Sequence, residues 1–192
     1  MKRVLYENDK RVSFLRFAAL PTRTPVELEL ALHLEGMLDA ADRERLEGNG
    51  WHIRHALEVA NTPERYRDYI QASRGEFSCV KPSSVDFQTA WVSDRTVCYL
   101  ATGKPAVVQD TGASAFLPSG EGLLRFSTLD EAAEALATID ADYQRHCRAA
   151  RALAETYFDA HTVLAHILTL AAAPVLASSS SRQEPAEGRV GQ

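Results

Sequence analysis

A chain of 192 residues is long enough to bury one sizeable core, and its 45% hydrophobic and 24% charged content excludes the disordered and fibrous classes. The net charge of −5 and the pI near 5.7 leave no basic face of the kind nucleic-acid binding requires. Lys and Arg are interspersed with acids, so no basic tract marks a membrane surface either.

Cys79, Cys98 and Cys147 form no CxxC pair and fit reduced thiols, and the first residues, up to Phe14, contain no apolar leader run. Both features lead to the expectation of a cytoplasmic protein. The most apolar stretch, Val163 to Ala177, is interrupted by His166, Thr169 and Pro174, so no integral membrane segment is expected.

In chain order, Phe14, Phe17 and Leu20 are spaced along one face of a short helix before Pro21, and residues 1–24 read as a lead-in helix and linker. Val26, Leu28, Leu30 and Leu32 alternate with Glu27, Glu29 and His33 as a strand with one wetter face. Asp39 to Leu46 is a charged helix stopped by Gly48-Asn49-Gly50. Trp51 to Val59 reads as a strand. Asn61 or Thr62 caps the next helix, with Pro63 in its first turn, Tyr66, Tyr69 and Ile70 inward, and an end near Gly75.

Glu76 to Val80 is a short strand, followed by a loop through Pro82 and a helix from Asp94 to Thr102. Gly103 suits the left-handed residue closing that helix, with Pro105 just beyond. Ala106 to Gln109 is a buried strand left by an Asp110-Thr111-Gly112 turn, and Gly122 to Phe126 is another strand. Leu129 to Ile139 is an amphipathic helix with Asp130 and Glu131 at its positive end. A long helix begins near Asp142 and restarts at Asp159. Residues 173–192, rich in Ser, Glu, Gly and Pro, are expected to be disordered. The alternation implies an α/β domain over residues 25–172, a parallel sheet with helices on both faces.

In such a sheet, ligands bind beyond the carboxyl ends of the strands, where helices begin. Ser93 can cap a helix whose first amides and dipole favour an anion, and Arg95 adds a guanidinium able to hold two phosphate oxygens. Gly112 lets a ligand approach the backbone, and Lys81 supplies a further positive charge. Each residue also has a plainer reading as a cap, a surface cation or a turn, and only their order favours a site.

The stretch SDRTVCYLATGKPAVVQDTG resembles the C-terminal-domain signature of GT-B glycosyltransferases, in which a helix ends at Gly-Lys/Arg-Pro before an apolar strand and Asp-Thr-Gly. SRGEFSCVK upstream, and LPSGEGLLRFSTLDEAAEAL and DYQRHCRAARALAETYFDAHTVLAHIL downstream, extend the resemblance over Thr62 to Leu170. It implies a single Rossmann-like domain that binds a nucleotide-diphosphate sugar as co-substrate, with no other cofactor. Ser93, Asp94 and Arg95 would sit at the diphosphate, with Lys81, Trp91 and Val92 as further candidates for binding the nucleotide sugar. Asp110, Thr111 and Gly112 would line the same cleft, and the backbone near Val59 and Ala60 would meet the base and ribose.

Two departures from that family accompany the likeness. The positions where many retaining members carry paired glutamates hold Ala90 and Cys98, the latter read as a small core residue. No acceptor domain precedes Phe14, so the expectation is either the donor-binding half of a glycosyltransferase or a non-catalytic nucleotide-sugar-binding module. Implied partners are a separate acceptor-domain protein or a second copy, meeting the apolar helix of Val163, Leu164, Ile167, Leu168 and Leu170. A Rossmann-like interaction domain with an empty cleft is a third reading.

Glu76 is read either as part of the family pattern or as a strand-edge carboxylate. His52 and His55 fall on opposite faces of a strand and His161 and His166 off a common helix face, so no metal site is expected.

Overall fold

The computed structural model describes residues 7–33 and 37–172; the tail expected to be disordered lies outside the described residues. Helix α1 (Lys10–Arg16) is capped by Asp9, whose carboxylate accepts the Arg11 amide at 2.8 Å. The helix is shorter than the spacing of Phe14, Phe17 and Leu20 implied, because Pro21 tightens the following turn into a 3₁₀ segment, Leu20–Arg23. Strand β1 (Glu29–Leu32), helix α2 (Met37–Gly48) and strand β2 (His52–His55) follow, and β1 pairs with β2 in parallel, with Glu29 opposite His52.

The reading of Trp51 to Val59 as one strand is corrected here. After four strand residues the chain turns into α3 (Ala56–Ala60). Ala, Leu and Glu are strong helix formers, and the His55 ring caps the helix by accepting the Leu57 amide at 3.2 Å. Helix α4 (Pro63–Ala72) starts as expected, with Thr62 accepting the Arg65 amide.

Strand β3 (Glu76–Ser78) leads into α5 (Pro82–Asp86), a short helix where only a loop was expected. Proline at the first helical position costs no hydrogen bond and presets φ, which makes Pro82 a helix start as readily as a breaker. Helix α6 (Asp94–Ala101) ends as its sequence implies. Gly103 takes φ +70°, its amide bonds to Leu100 and the Lys104 amide to Tyr99, the paired closure that a left-handed glycine permits.

Strands β4 (Ala106–Gln109) and β5 (Leu123–Phe126) complete a parallel sheet in the order β3-β4-β5. Helix α7 (Leu129–Ala141) opens on a reciprocal cap, in which Thr128 accepts the Glu131 amide and Glu131 accepts the Thr128 amide. Helix α8 (Tyr143–Tyr157) is capped by Asp142. Helix α9 (Ala160–Ala172) opens a second compact unit; by itself it exposes Leu164, Ile167, Leu168 and Leu170.

Side-chain alternation along the sheet places helices on both of its faces. Val107 and Phe126 face one core with Phe17, Leu20 and the α7 residues Ala132, Ala135 and Leu136. Ala106, Val108 and Leu123 face a second core with Leu100 of α6 and Ala150 and Ala154 of α8. Gly122 permits the latter contact, since a Cβ there would lie 2.4 Å from the Ala150 amide nitrogen. Parallel strands between two helical layers are the α/β, Rossmann-like arrangement expected of the chain.

Candidate functional site

Ser93, Thr111 and Gly112 join at the carboxyl ends of β3 and β4. Ser93 caps α6, its hydroxyl accepting the Thr96 amide at 3.1 Å. That bond leaves the first-turn amides of Asp94 and Arg95 without an intrahelical acceptor, so the positive end of the helix faces outward. Thr111 is fully buried and donates its hydroxyl to the Trp91 carbonyl at 2.9 Å, while the Ala90 amide donates to the Thr111 carbonyl at 2.8 Å. The loop before α6 is thereby stitched to the turn after β4. Asp110 accepts the Gly112 amide at 3.0 Å and shapes that turn.

Gly112 sits at φ +101°, and a Cβ there would come within 3.1 Å of Gln88. Its close neighbour within the chain is therefore the α5–α6 loop. Val92 packs into the second core, while Trp91 and Asp94 are exposed. Lys81 is exposed at the start of α5.

Arg95 points back over β3. Its Nε donates to Glu76 Oε1 and its Nη2 to the Ser78 hydroxyl, both at 2.7 Å. Glu76 opens the edge strand β3, yet it is buried, with a side chain only 2% exposed. Strand alternation explains the burial: Glu76 and Ser78 share the face that α6 covers, opposite to Phe77. Burial works against the Arg95 charge, but the Glu76 carboxylate outweighs it and raises the guanidinium pKa above its ordinary value.

Cys98 likewise departs from expectation. It is exposed on α6, because Thr96, Tyr99 and Leu100 occupy the buried face.

Lys10 was not singled out in the sequence. Asn8 accepts the Ser83 amide at 3.1 Å, and Phe14 meets Phe77 edge to face at 6.3 Å, so α1 lies along the start of α5 and the end of β3. Lys10 consequently sits in the field of Arg95, Glu76, Asp94 and Lys81. Burial, then repulsion from Arg95 and Lys81, hold its ammonium pKa below the ordinary value. Nothing local in the sequence marks this lysine, since it lies 71 positions before Lys81. Lys10 is thus within electrostatic reach of Arg95, Glu76, Asp94 and Lys81, while the Arg95 guanidinium itself is held against Glu76 and Ser78.

A cavity of about 540 Å³ runs along the neighbouring strand edges, with Leu30 and Leu32 of β1 on one side and Glu76 and Phe77 of β3 on the other. Arg95 also borders it. Tyr69 lines the cavity and donates to Glu29 at 2.8 Å; burial, then that bond, push its phenol pKa well above the ordinary range. His55 meets His33 edge to face at 5.3 Å at the ends of β1 and β2.

The described residues contain no helix long and apolar enough to cross a membrane. No curated protein matches the chain. Residues 26–172 match the model of the glycosyl transferase-like family, which spans β1 through α9, and the chain belongs to that family.

Proposed function

We propose that the chain is the donor-binding, C-terminal half of a GT-B glycosyltransferase and binds a nucleotide-diphosphate sugar at the α6 start. The observation that carries this reading is the Ser93-capped helix start, whose preceding loop is pinned through Thr111 to the Asp110–Gly112 turn, with Lys10 in the field of Lys81 and Arg95. A diphosphate gains from helix-end amides and from cations together. During transfer, the bond from the sugar C1 to the diphosphate oxygen breaks, and negative charge grows on the leaving diphosphate. Groups already aimed at that charge stabilise it without reorganising.

The residues divide these roles. Lys10 and Lys81 supply mobile charge, the amides of Asp94 and Arg95 supply fixed donors, and Glu76 and Ser78 hold the Arg95 guanidinium in place. The acceptor and its base come from a separate domain or a second copy, with the apolar side chains of α9 as the surface that meets it.

Calorimetric titration with UDP, GDP, ADP, CDP and dTDP tests the reading, using wild type, Lys10→Ala and Lys81→Ala. One nucleotide is expected to bind, with affinity falling about tenfold in each variant, as expected for loss of one phosphate contact. Absence of heat from all five, with the chain folded, would overturn it.

A second reading, a binding module without catalysis, is favoured by Ala90 and Cys98, which provide no carboxylate beside the α6 start. Slow donor hydrolysis by the chain supplied with an acceptor domain would exclude that reading.

A further inference from the structure

Arg125 takes no part in the site above. It lies on β5 in register with Val108, and strand alternation turns its side chain to the face that Val108 and Leu123 share with α6 and α8. On that face Leu100, Val108, Leu117 and Leu123 form an apolar core, with Tyr157 packed against it. Both terminal nitrogens, Nη1 and Nη2, are buried and have no hydrogen-bond partner among the described residues.

A buried lysine or glutamate can escape such a position by losing or taking a proton, but a guanidinium cannot, so its charge persists. An uncompensated buried charge is among the most destabilising features a fold can carry. The place where it occurs is informative. The next residue, Phe126, accepts the Asp110 amide at 2.7 Å, so Arg125 stands at the carboxyl end of the sheet beside the turn that leaves β4.

We infer that Arg125 is the counter-cation of a phosphate-type oxyanion bound at the carboxyl end of β5. Two N–H donors from Nη1 and Nη2 match two oxygens of one phosphate, a pairing that lysine does not reproduce. Both nitrogens are closed to solvent, so binding accompanies local opening and is read through stability. The inference does not rest on the nucleotide reading, because Arg125 and the Lys10–Lys81–Arg95 cluster occupy different strands and helices.

Thermal unfolding of the full chain tests it, with inorganic phosphate, acetate and chloride compared at equal ionic strength. Phosphate is expected to raise the Tm of wild type and of Lys10→Ala, and Arg125→Met is expected to weaken phosphate binding at least about tenfold. Arg125→Lys serves if the methionine variant fails to fold, since it keeps the charge and loses the planar fork. Three results would overturn the proposal: no phosphate response in wild type, an equal response in whichever Arg125 variant folds, or a loss in Lys10→Ala instead. An equal response to acetate would overturn the assignment to phosphate.

Discussion

Arg95 and Arg125 approach the same sheet face near the carboxyl ends of its strands, yet their surroundings differ. Arg95 meets a buried carboxylate and a hydroxyl at 2.7 Å, whereas the buried terminal nitrogens of Arg125 have no hydrogen-bond partner among the described residues. For Arg95 the charge has become part of the architecture, tying α6 to β3 and holding a guanidinium at the helix start. For Arg125 the chain supplies no acceptor among the described residues, and the compensation has to come from elsewhere. A buried cation is therefore informative through its partner more than through its presence.

Removing one side of the compensated pair is expected to have the largest effect. Arg95→Ala strands the Glu76 carboxylate, whose Oε2 already lacks a partner among the described residues, and should cost about 3 kcal/mol in urea unfolding. Arg95→Met with Glu76→Met removes both charges and should recover most of that loss. A double variant no more stable than the single would show that Glu76 is not the reason Arg95 matters.

A smaller effect is expected at the cap that positions the same helix. Ser93→Ala should destabilise by about 1 kcal/mol and weaken anion binding at α6, while leaving the phosphate response assigned to Arg125 intact. Loss of both responses would merge the two regions into one site.

Arg125→Met should be neutral or stabilising in chloride, by up to about 1 kcal/mol, since it replaces an unpaired charge with a side chain suited to its surroundings. A loss of several kcal/mol on that change would mean that Arg125 is compensated within the chain, contrary to the contrast with Arg95.

Lys10 provides the smallest and most specific test. Its folded pKa lies below the ordinary lysine value of 10.5, so in that interval the unfolded chain binds more protons. Stability should accordingly rise with pH from the folded pKa of Lys10 up to 10.5, and Lys10→Met should flatten that segment of the curve. A slope of unchanged size in Lys10→Met would remove Lys10 from the cluster.

Local chemistry set much of this protein without reference to its tertiary structure. The Ser93 cap, the Gly103 stop, the Pro63 start and the all-buried β4 follow from residue types and spacing, since caps and glycine turns are decided within a few residues. The order of those elements also carries the family, because alternating strands and helices with these stops are themselves a sequence pattern.

Packing decided the remainder. The short β2 and the added α3 and α5 are exceptions, since they follow from the local His55 cap, the helix formers after it and the Pro82 start. The pairing of Arg95 with Glu76, the arrival of Lys10 from α1 and the lack of an acceptor for Arg125 among the described residues depend on which side chains different elements bring together. Such juxtapositions bridge tens of residues, a range over which hydrophobic period and turn chemistry carry no record of contact.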